Sequence, residues 1–134
     1  MEKFASILAC LIVSVTLAAQ EKKTPEQMEK EFYESIENQV ERLFEQLDLE
    51  DWQTFYVDSI LTHDYTAMRE ELSELSKAKV SNSDIFYSVQ DKWMEQIYNS
   101  FHAIFDENQW AKYLKNGAAR DKRARDKRAA KTKK

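Results

Sequence analysis

The sequence predicts an all-α protein in which four or five amphipathic helices form an antiparallel helical hairpin or bundle. The 134 residues include one glycine and one proline, although strands joined by tight turns usually need more of both. The remaining composition is rich in Glu, Lys, Gln, Leu and Ala, which favour helices. Apolar residues also recur at steps of three and four along most of the chain, as they do on the buried side of a helix.

The N-terminal segment, residues 1–19, is predicted to be a cleaved signal peptide. The run from Phe4 to Ala19 is uncharged and consists of apolar or small residues, and polar residues follow it at once. It is shorter than the roughly 20 residues that span a bilayer, so a permanent anchor is the less favoured alternative. The single cysteine, Cys10, would be removed with this segment, which leaves no disulfide and no thiol nucleophile in the mature chain.

Residues 20–117 are predicted to form the helical domain. Thr24, Pro25 and Gln27 have the pattern of a helix start with a capping box, and an apolar stripe follows as far as Leu47. Asp48 is the expected cap of a second helix over residues 49–79, either one bent helix or two helices that meet near His63.

Two further helices complete the predicted domain. A strongly amphipathic helix is expected over residues 84–105, because its apolar residues again recur every three or four positions. Asp106 is the expected cap of a final helix, which Gly117 could end.

Residues 118–134 form a basic C-terminal helix or tail. Residues 21–119 contain 10 Lys or Arg and 21 Asp or Glu, whereas residues 120–134 contain 9 Lys or Arg and 2 Asp. The tail contains a five-residue repeat, Arg-Asp-Lys-Arg-Ala, over 120–129 and has no apolar stripe. It is therefore expected to be a solvated helical extension, or disordered in isolation.

The sequence does not indicate an enzyme, and it predicts neither catalytic residues nor a cofactor. One glycine is too few for a glycine-rich phosphate loop, and no nucleophile elbow is present. His63, His102 and Asp106 are weak candidates for a metal site, since His102 and Asp106 are four residues apart. The alternative is that both histidines lie on the surface beside helix caps.

The aromatic side chains suggest a binding surface. Three tryptophans, six tyrosines and seven phenylalanines are a large number for so short a chain. Most should be buried, but a minority could line an exposed groove that binds unfolded segments or a partner helix. We take Tyr56, Trp93 and Phe101 as the candidates for client binding.

The basic tail suggests an anionic partner. Arg123 and Arg128 are the candidates for electrostatic contacts. Nucleic acid is not expected for an exported protein, so anionic lipid, anionic glycan or the acidic body of another copy are the better candidates. A tail that only increases solubility is the alternative.

Two short segments resemble a known motif. Residues 49–53, Leu-Glu-Asp-Trp-Gln, and residues 105–109, Phe-Asp-Glu-Asn-Gln, are similar to the LTXXQ motif of the Spy/CpxP family of bacterial envelope proteins. Glu50 and Asp106 stand where the motif has Thr, and Phe105 stands where it has Leu. The resemblance covers roughly residues 25–116.

The resemblance implies a hairpin-based helical fold that pairs as a cradle-shaped homodimer in the periplasm. It also implies an ATP-independent chaperone, or a stress or metal sensor. The leading hypothesis is a periplasmic chaperone-like protein that binds unfolded or stressed envelope proteins. The alternatives are an envelope metal or stress sensor that uses the two histidines, and a structural accessory protein that docks through its basic tail. A concave basic surface is typical of the family, whereas the body of this chain is acidic.

Overall fold

The computed structural model describes residues 22–133, which form helices and their connections. The helices are α1 (Pro25–Leu47), α2 (Asp51–Lys77), α3 (Ser83–Ile104), α4 (Glu107–Tyr113) and α5 (Ala119–Thr132), with a π-helical turn at Leu114–Ala118. The predicted all-α class is therefore confirmed. The predicted signal peptide and Cys10 lie outside the described residues. Within residues 22–133, no helix is long and apolar enough to cross a membrane.

Helix α1 begins at the predicted capping box and ends at a left-handed residue. The Thr24 hydroxyl accepts a hydrogen bond from the Gln27 N–H at 3.2 Å, and Gln27 Oε1 accepts one from the Thr24 N–H at 2.9 Å. Asp48 has φ 51° and donates its N–H to the Phe44 carbonyl. The prediction that Asp48 caps the second helix was therefore wrong. It ends α1 instead, because aspartate is one of the few side chains that tolerate the left-handed region.

Helix α2 is continuous through the segment where two alternatives had been left open. It extends from Asp51 to Lys77, so His63 lies within one helix and not at a junction between two. The buried side of α2 contains polar as well as apolar residues: Gln53 and Asp64 are buried together with Val57 and Leu61. Asp64 accepts hydrogen bonds from His63 Nδ1 at 2.7 Å and from Gln96 Nε2 at 3.1 Å, which stabilise its burial.

Side-chain contacts show that consecutive long helices are antiparallel. On α1 and α2, Arg69 pairs with Glu29 while Tyr65 donates to Gln39, so later residues of α2 meet earlier residues of α1. The same order holds between α2 and α3, where Glu71 contacts Lys92 and Asp64 contacts Gln96. The predicted antiparallel arrangement is thus present in the described part of the chain.

The core lies where α1, α2 and α3 meet the start of α4. Its buried apolar residues come from all three long helices and from the two turns before α2 and α4; they are Ile36, Leu43, Leu47, Leu49, Val57, Leu61, Ile97, Phe101 and Phe105. The first residue of each motif-like segment, Leu49 and Phe105, is thus a core residue. Burial of these side chains supplies most of the driving force for folding.

The two motif-like segments begin helices in the same way. At the start of α2, Gln53 Oε1 accepts a hydrogen bond from the Glu50 N–H at 2.9 Å. At the start of α4, Gln109 Oε1 accepts one from the Asp106 N–H at 3.0 Å, and Asp106 Oδ1 accepts one from the Gln109 N–H at 2.8 Å. The final glutamine of each segment therefore closes a cap on the second residue of the same segment. The prediction that Asp106 caps the final helix is confirmed.

The two segments also contact each other through their glutamines. Gln53 Nε2 donates to Gln109 Oε1 at 2.7 Å, and Gln109 Nε2 donates to Gln53 Oε1 at 2.9 Å. Each amide also donates to the carbonyl just before the other segment, Gln53 to Ile104 at 2.9 Å and Gln109 to Asp48 at 3.4 Å. Both side chains are buried, so this reciprocal pair holds the starts of α2 and α4 together by satisfied polar groups.

The segment predicted as a basic tail is helix α5, packed on α3. Gly117 has φ 133° within the π-helical turn, and this conformation redirects the chain after α4. Arg128 then binds Asp91 through two hydrogen bonds of 2.7 Å. Lys122 and Arg125 both bind Glu95, at 2.7 and 3.1 Å. The tail is thus helical in this structure, and ion pairs with α3 take the place of an apolar stripe.

Candidate functional site

Exposed aromatic side chains gather where α1 approaches the start of α2. Phe44 is 42% exposed, Phe55 67%, and Trp52 and Tyr56 50% each. Tyr56 contacts both of its aromatic neighbours on α2 edge to face, with ring centroids 6.2 Å from Trp52 and 5.8 Å from Phe55. Large aromatic side chains that remain this exposed are typical of interaction surfaces.

A groove between α1 and α2 forms the centre of this region. Its volume is about 440 Å³, and it opens widely to solvent. We call it the aromatic groove, and its lining residues are Glu37, Val40, Glu41, Phe44, Thr54, Phe55 and Asp58. The apolar floor and the three carboxylates at its rim would suit a segment that has both apolar and basic side chains.

Of the three predicted client-binding residues, Tyr56 lies on this exposed surface and the other two do not. Phe101 is 0% exposed, and its ring packs 5.1 Å from Phe105 and 5.6 Å from Tyr113. The expectation that Phe101 lines an exposed groove was therefore wrong, because it points from α3 into the core.

Trp93 is half-buried and is held by α2. Its Nε1 donates to Glu71 Oε2 at 2.8 Å, and Lys92 Nζ binds the same carboxylate at 2.6 Å. Both hydrogen bonds lower the pKa of Glu71, and the one from Lys92 has the larger effect. Trp93 thus links α3 to α2, and it does not line the aromatic groove.

The structure adds Phe44, Trp52 and Phe55 to this surface, and none of the three was among the predicted candidates. For Trp52 and Phe55, the signal that would have placed them on the exposed side of α2 is the alternative stripe of Gln53, Val57, Leu61 and Asp64, which has helical spacing but includes two polar residues. Hydrophobicity alone predicts that the aromatic side of α2 is buried. The hydrogen bonds of Gln53 and Asp64 instead hold the other side of the helix against the core.

The two predicted electrostatic residues have different surroundings. Arg128 is bound to Asp91, whereas Arg123 is exposed and its side chain makes no hydrogen bond or ion pair with any residue in the range 22–133. Arg125, which the sequence did not single out, is 8% exposed and lies 5.4 Å from the centre of the Tyr98 ring. The basic helix therefore has one set of cations that hold it to α3 and another that faces solvent.

The three metal candidates have other roles in the structure. His63 bonds to Asp64, His102 stacks on Trp110 with ring centroids 4.3 Å apart, and Asp106 caps α4. Over the described range, no group of three or more His, Cys, Asp or Glu side chains is arranged to hold a metal ion. The candidates thus do not form one cluster.

Comparisons of the chain with protein-family models, with curated proteins and with solved structures found no match.

Proposed function

We propose that this protein is an ATP-independent, chaperone-like protein of the bacterial periplasm that binds unfolded or stressed envelope proteins. The observation that supports the proposal best is the aromatic groove together with the exposed rings of Trp52 and Tyr56 beside it. The predicted signal peptide and the resemblance of residues 49–53 and 105–109 to the LTXXQ motif support the periplasmic location. The same resemblance is the reason to propose a homodimer.

The aromatic groove suits a client segment that is transiently exposed. Phe44 and Phe55 offer apolar surface to a client's apolar side chains, while Glu37, Glu41 and Asp58 offer carboxylates to its Lys or Arg. The groove is open and shallow, so binding is expected to be weak and rapidly reversible. Such binding protects clients by mass action and needs no nucleotide, because each bound segment is removed from the pool that aggregates.

The experiment measures aggregation of a heat-denatured reporter enzyme by light scattering. The protein in several-fold excess should suppress the scattering, and a variant with Phe44→Ser and Phe55→Ser should suppress it much less. Tyr87→Ser is the matched control, because Tyr87 is 54% exposed but lies on α3, away from the aromatic groove. Urea unfolding of all variants checks that the fold is retained.

Two results would count against this proposal. If the wild-type protein does not reduce scattering in several-fold excess, the protein is not a chaperone of this kind. If it does, but the Phe44/Phe55 variant protects as well as the Tyr87 control, clients bind elsewhere.

A further inference from the structure

Helix α5 presents two rows of cations on opposite sides. The inner row, Lys122, Arg125 and Arg128, binds Glu95 and Asp91 of α3. The outer row, which we define as Arg120, Arg123, Lys127 and Lys131, has the spacing 3, 4, 4 and is exposed along its whole length. At about 100° per residue, these four positions share a sector of about 80° that faces away from the inner row.

The outer row is largely free of neutralising carboxylates. Its one ion pair among the described residues joins Arg120 Nε to the neighbouring Asp121 at 3.3 Å, and both side chains are well exposed. An exposed pair of this kind contributes little, so the row keeps its positive potential. Because only the inner row binds α3, the outer row is available to a partner without any rearrangement of α5.

Helix α1 presents a row of carboxylates with the same spacing. The acidic row, which we define as Glu34, Glu37, Glu41 and Glu45, also follows the steps 3, 4, 4 and is exposed throughout. It lies on the side of α1 away from its buried residues Ile36, Leu43 and Leu47. Glu34 contacts Lys30 at 3.6 Å, and the other three bind no cation in the range 22–133.

No ion pair joins the two rows within the described part of one molecule. Helix α5 is fixed to α3 by its inner row, so the outer row faces solvent. The acidic row faces solvent along α1, and two of its members, Glu37 and Glu41, also form part of the rim of the aromatic groove between α1 and α2. We propose that the outer row of α5 binds the acidic row of α1 in a second copy of this chain. Each row is about 16 Å long, at 1.5 Å per residue, so four Glu-to-Arg or Glu-to-Lys pairs can form along one helix-to-helix contact.

The charge distribution favours a second copy over an anionic lipid surface. Residues 21–119 contain 11 more acidic than basic side chains, so an anionic membrane that attracts α5 would repel the rest of the molecule. A second copy has no such conflict, because its acidic body is itself the surface that attracts α5. If both copies exchange the contact symmetrically, a closed dimer forms, and otherwise copies add head to tail.

This contact specifies the interface of the homodimer proposed above. It is tested by mass alone, with no client present, so its failure and the failure of the chaperone proposal can be told apart. The measurement is sedimentation equilibrium over a range of protein concentrations at low salt and at 0.5 M NaCl. The wild-type protein should self-associate at low salt, and the association should weaken at least tenfold at high salt, since exposed ion pairs are screened.

Charge reversal identifies the surfaces. A variant with Arg123→Glu and Lys127→Glu, and another with Glu37→Lys and Glu41→Lys, should each remain monomeric. An equimolar mixture of the two should associate again, because reversed α5 of the first meets reversed α1 of the second. The control is Lys112→Glu with Lys115→Glu, which changes net charge by the same amount as the α5 variant but lies outside both rows; it should associate like the wild type.

Three results would overturn the inference: a wild-type protein that stays monomeric at low salt, self-association that survives either reversal, or a mixture that does not associate. Binding to vesicles that contain anionic lipid is measured as well. If the monomeric wild type binds them and the α5 variant does not, the outer row serves a membrane and the inference is wrong.

Discussion

Replacement of Gln109 by leucine should destabilise the protein by about 2–3 kcal/mol. The change removes the acceptor that caps the Asp106 N–H, which contributes about 1 kcal/mol in typical helices. It also removes both hydrogen bonds with Gln53, which contribute a further 1–2 kcal/mol together. Gln53 keeps its contacts with the Glu50 N–H and the Ile104 carbonyl, so it is not left without partners, and the loss should stay within this range.

The reciprocal hydrogen bonds between Gln53 and Gln109 predict that the costs of replacing the two residues are not additive. Gln53→Leu should cost about as much as Gln109→Leu, because the two residues have equivalent sets of partners. In the double variant the shared hydrogen bonds are lost once and not twice. We therefore expect the double variant to cost about 1–2 kcal/mol less than the sum of the single changes.

Urea unfolding followed by circular dichroism at 222 nm measures these free energies. Gln90→Leu is the control, since Gln90 is an exposed residue of α3 that makes no side-chain hydrogen bond within the described residues, and its replacement should change stability by less than about 0.5 kcal/mol. If the two single costs add in the double variant to within about 0.5 kcal/mol, the glutamines act separately and the pairing argued here is wrong.

Three other predictions concern the core, the turn before α5 and one titrating group. Phe101→Ala should cost about 3–5 kcal/mol in the same unfolding assay, as expected for a fully buried ring; a cost below 1 kcal/mol would contradict its burial. Gly117→Ala should cost about 1–2 kcal/mol, because φ 133° strains any side chain, although the added Cβ would make only an ordinary 3.7 Å contact with Arg120; an unchanged stability would refute this backbone geometry. Burial raises the pKa of Tyr113 to about 12 from 10.0, so the stabilisation by the neutral Tyr113 ring is complete below pH 10 and is lost as the pH rises towards 12. In an absorbance titration at 295 nm, a transition near pH 10 that is missing from Tyr113→Phe would contradict the shift.

The sequence predicted the helices better than it predicted which sides of them are buried. Helix starts depend on local hydrogen bonds: Thr24 with Gln27 forms the expected capping box, and Asp106 caps α4 as expected. The end of α1 was missed for a local reason as well, since Asp48 is equally suited to begin a helix or to adopt the left-handed conformation that ends one.

The candidate site was predicted only in part, because burial on α2 depends on partners that are distant in sequence. Gln53 is buried by its pairing with Gln109, which is 56 residues away. Asp64 is buried and accepts a hydrogen bond from Gln96, which is 32 residues away. Once these two polar residues occupy the inner side of α2, Trp52 and Phe55 are turned outward by the helical period. Hydrophobicity along the chain does not contain this information, so only one of the predicted groove residues, Tyr56, lies on the exposed aromatic surface.

The basic repeat explains why one helix can serve two purposes. A five-residue repeat in an α-helix advances by about 500°, so equivalent residues of successive copies differ by about 140° in direction. Arg120 and Arg125 are such a pair, and one faces solvent while the other is buried against Tyr98 and Glu95. A seven-residue repeat would have kept each set of equivalent cations on nearly one side of the helix. The mismatch between five and 3.6 thus supplies α5 with an inner row that binds α3 and an outer row that faces solvent.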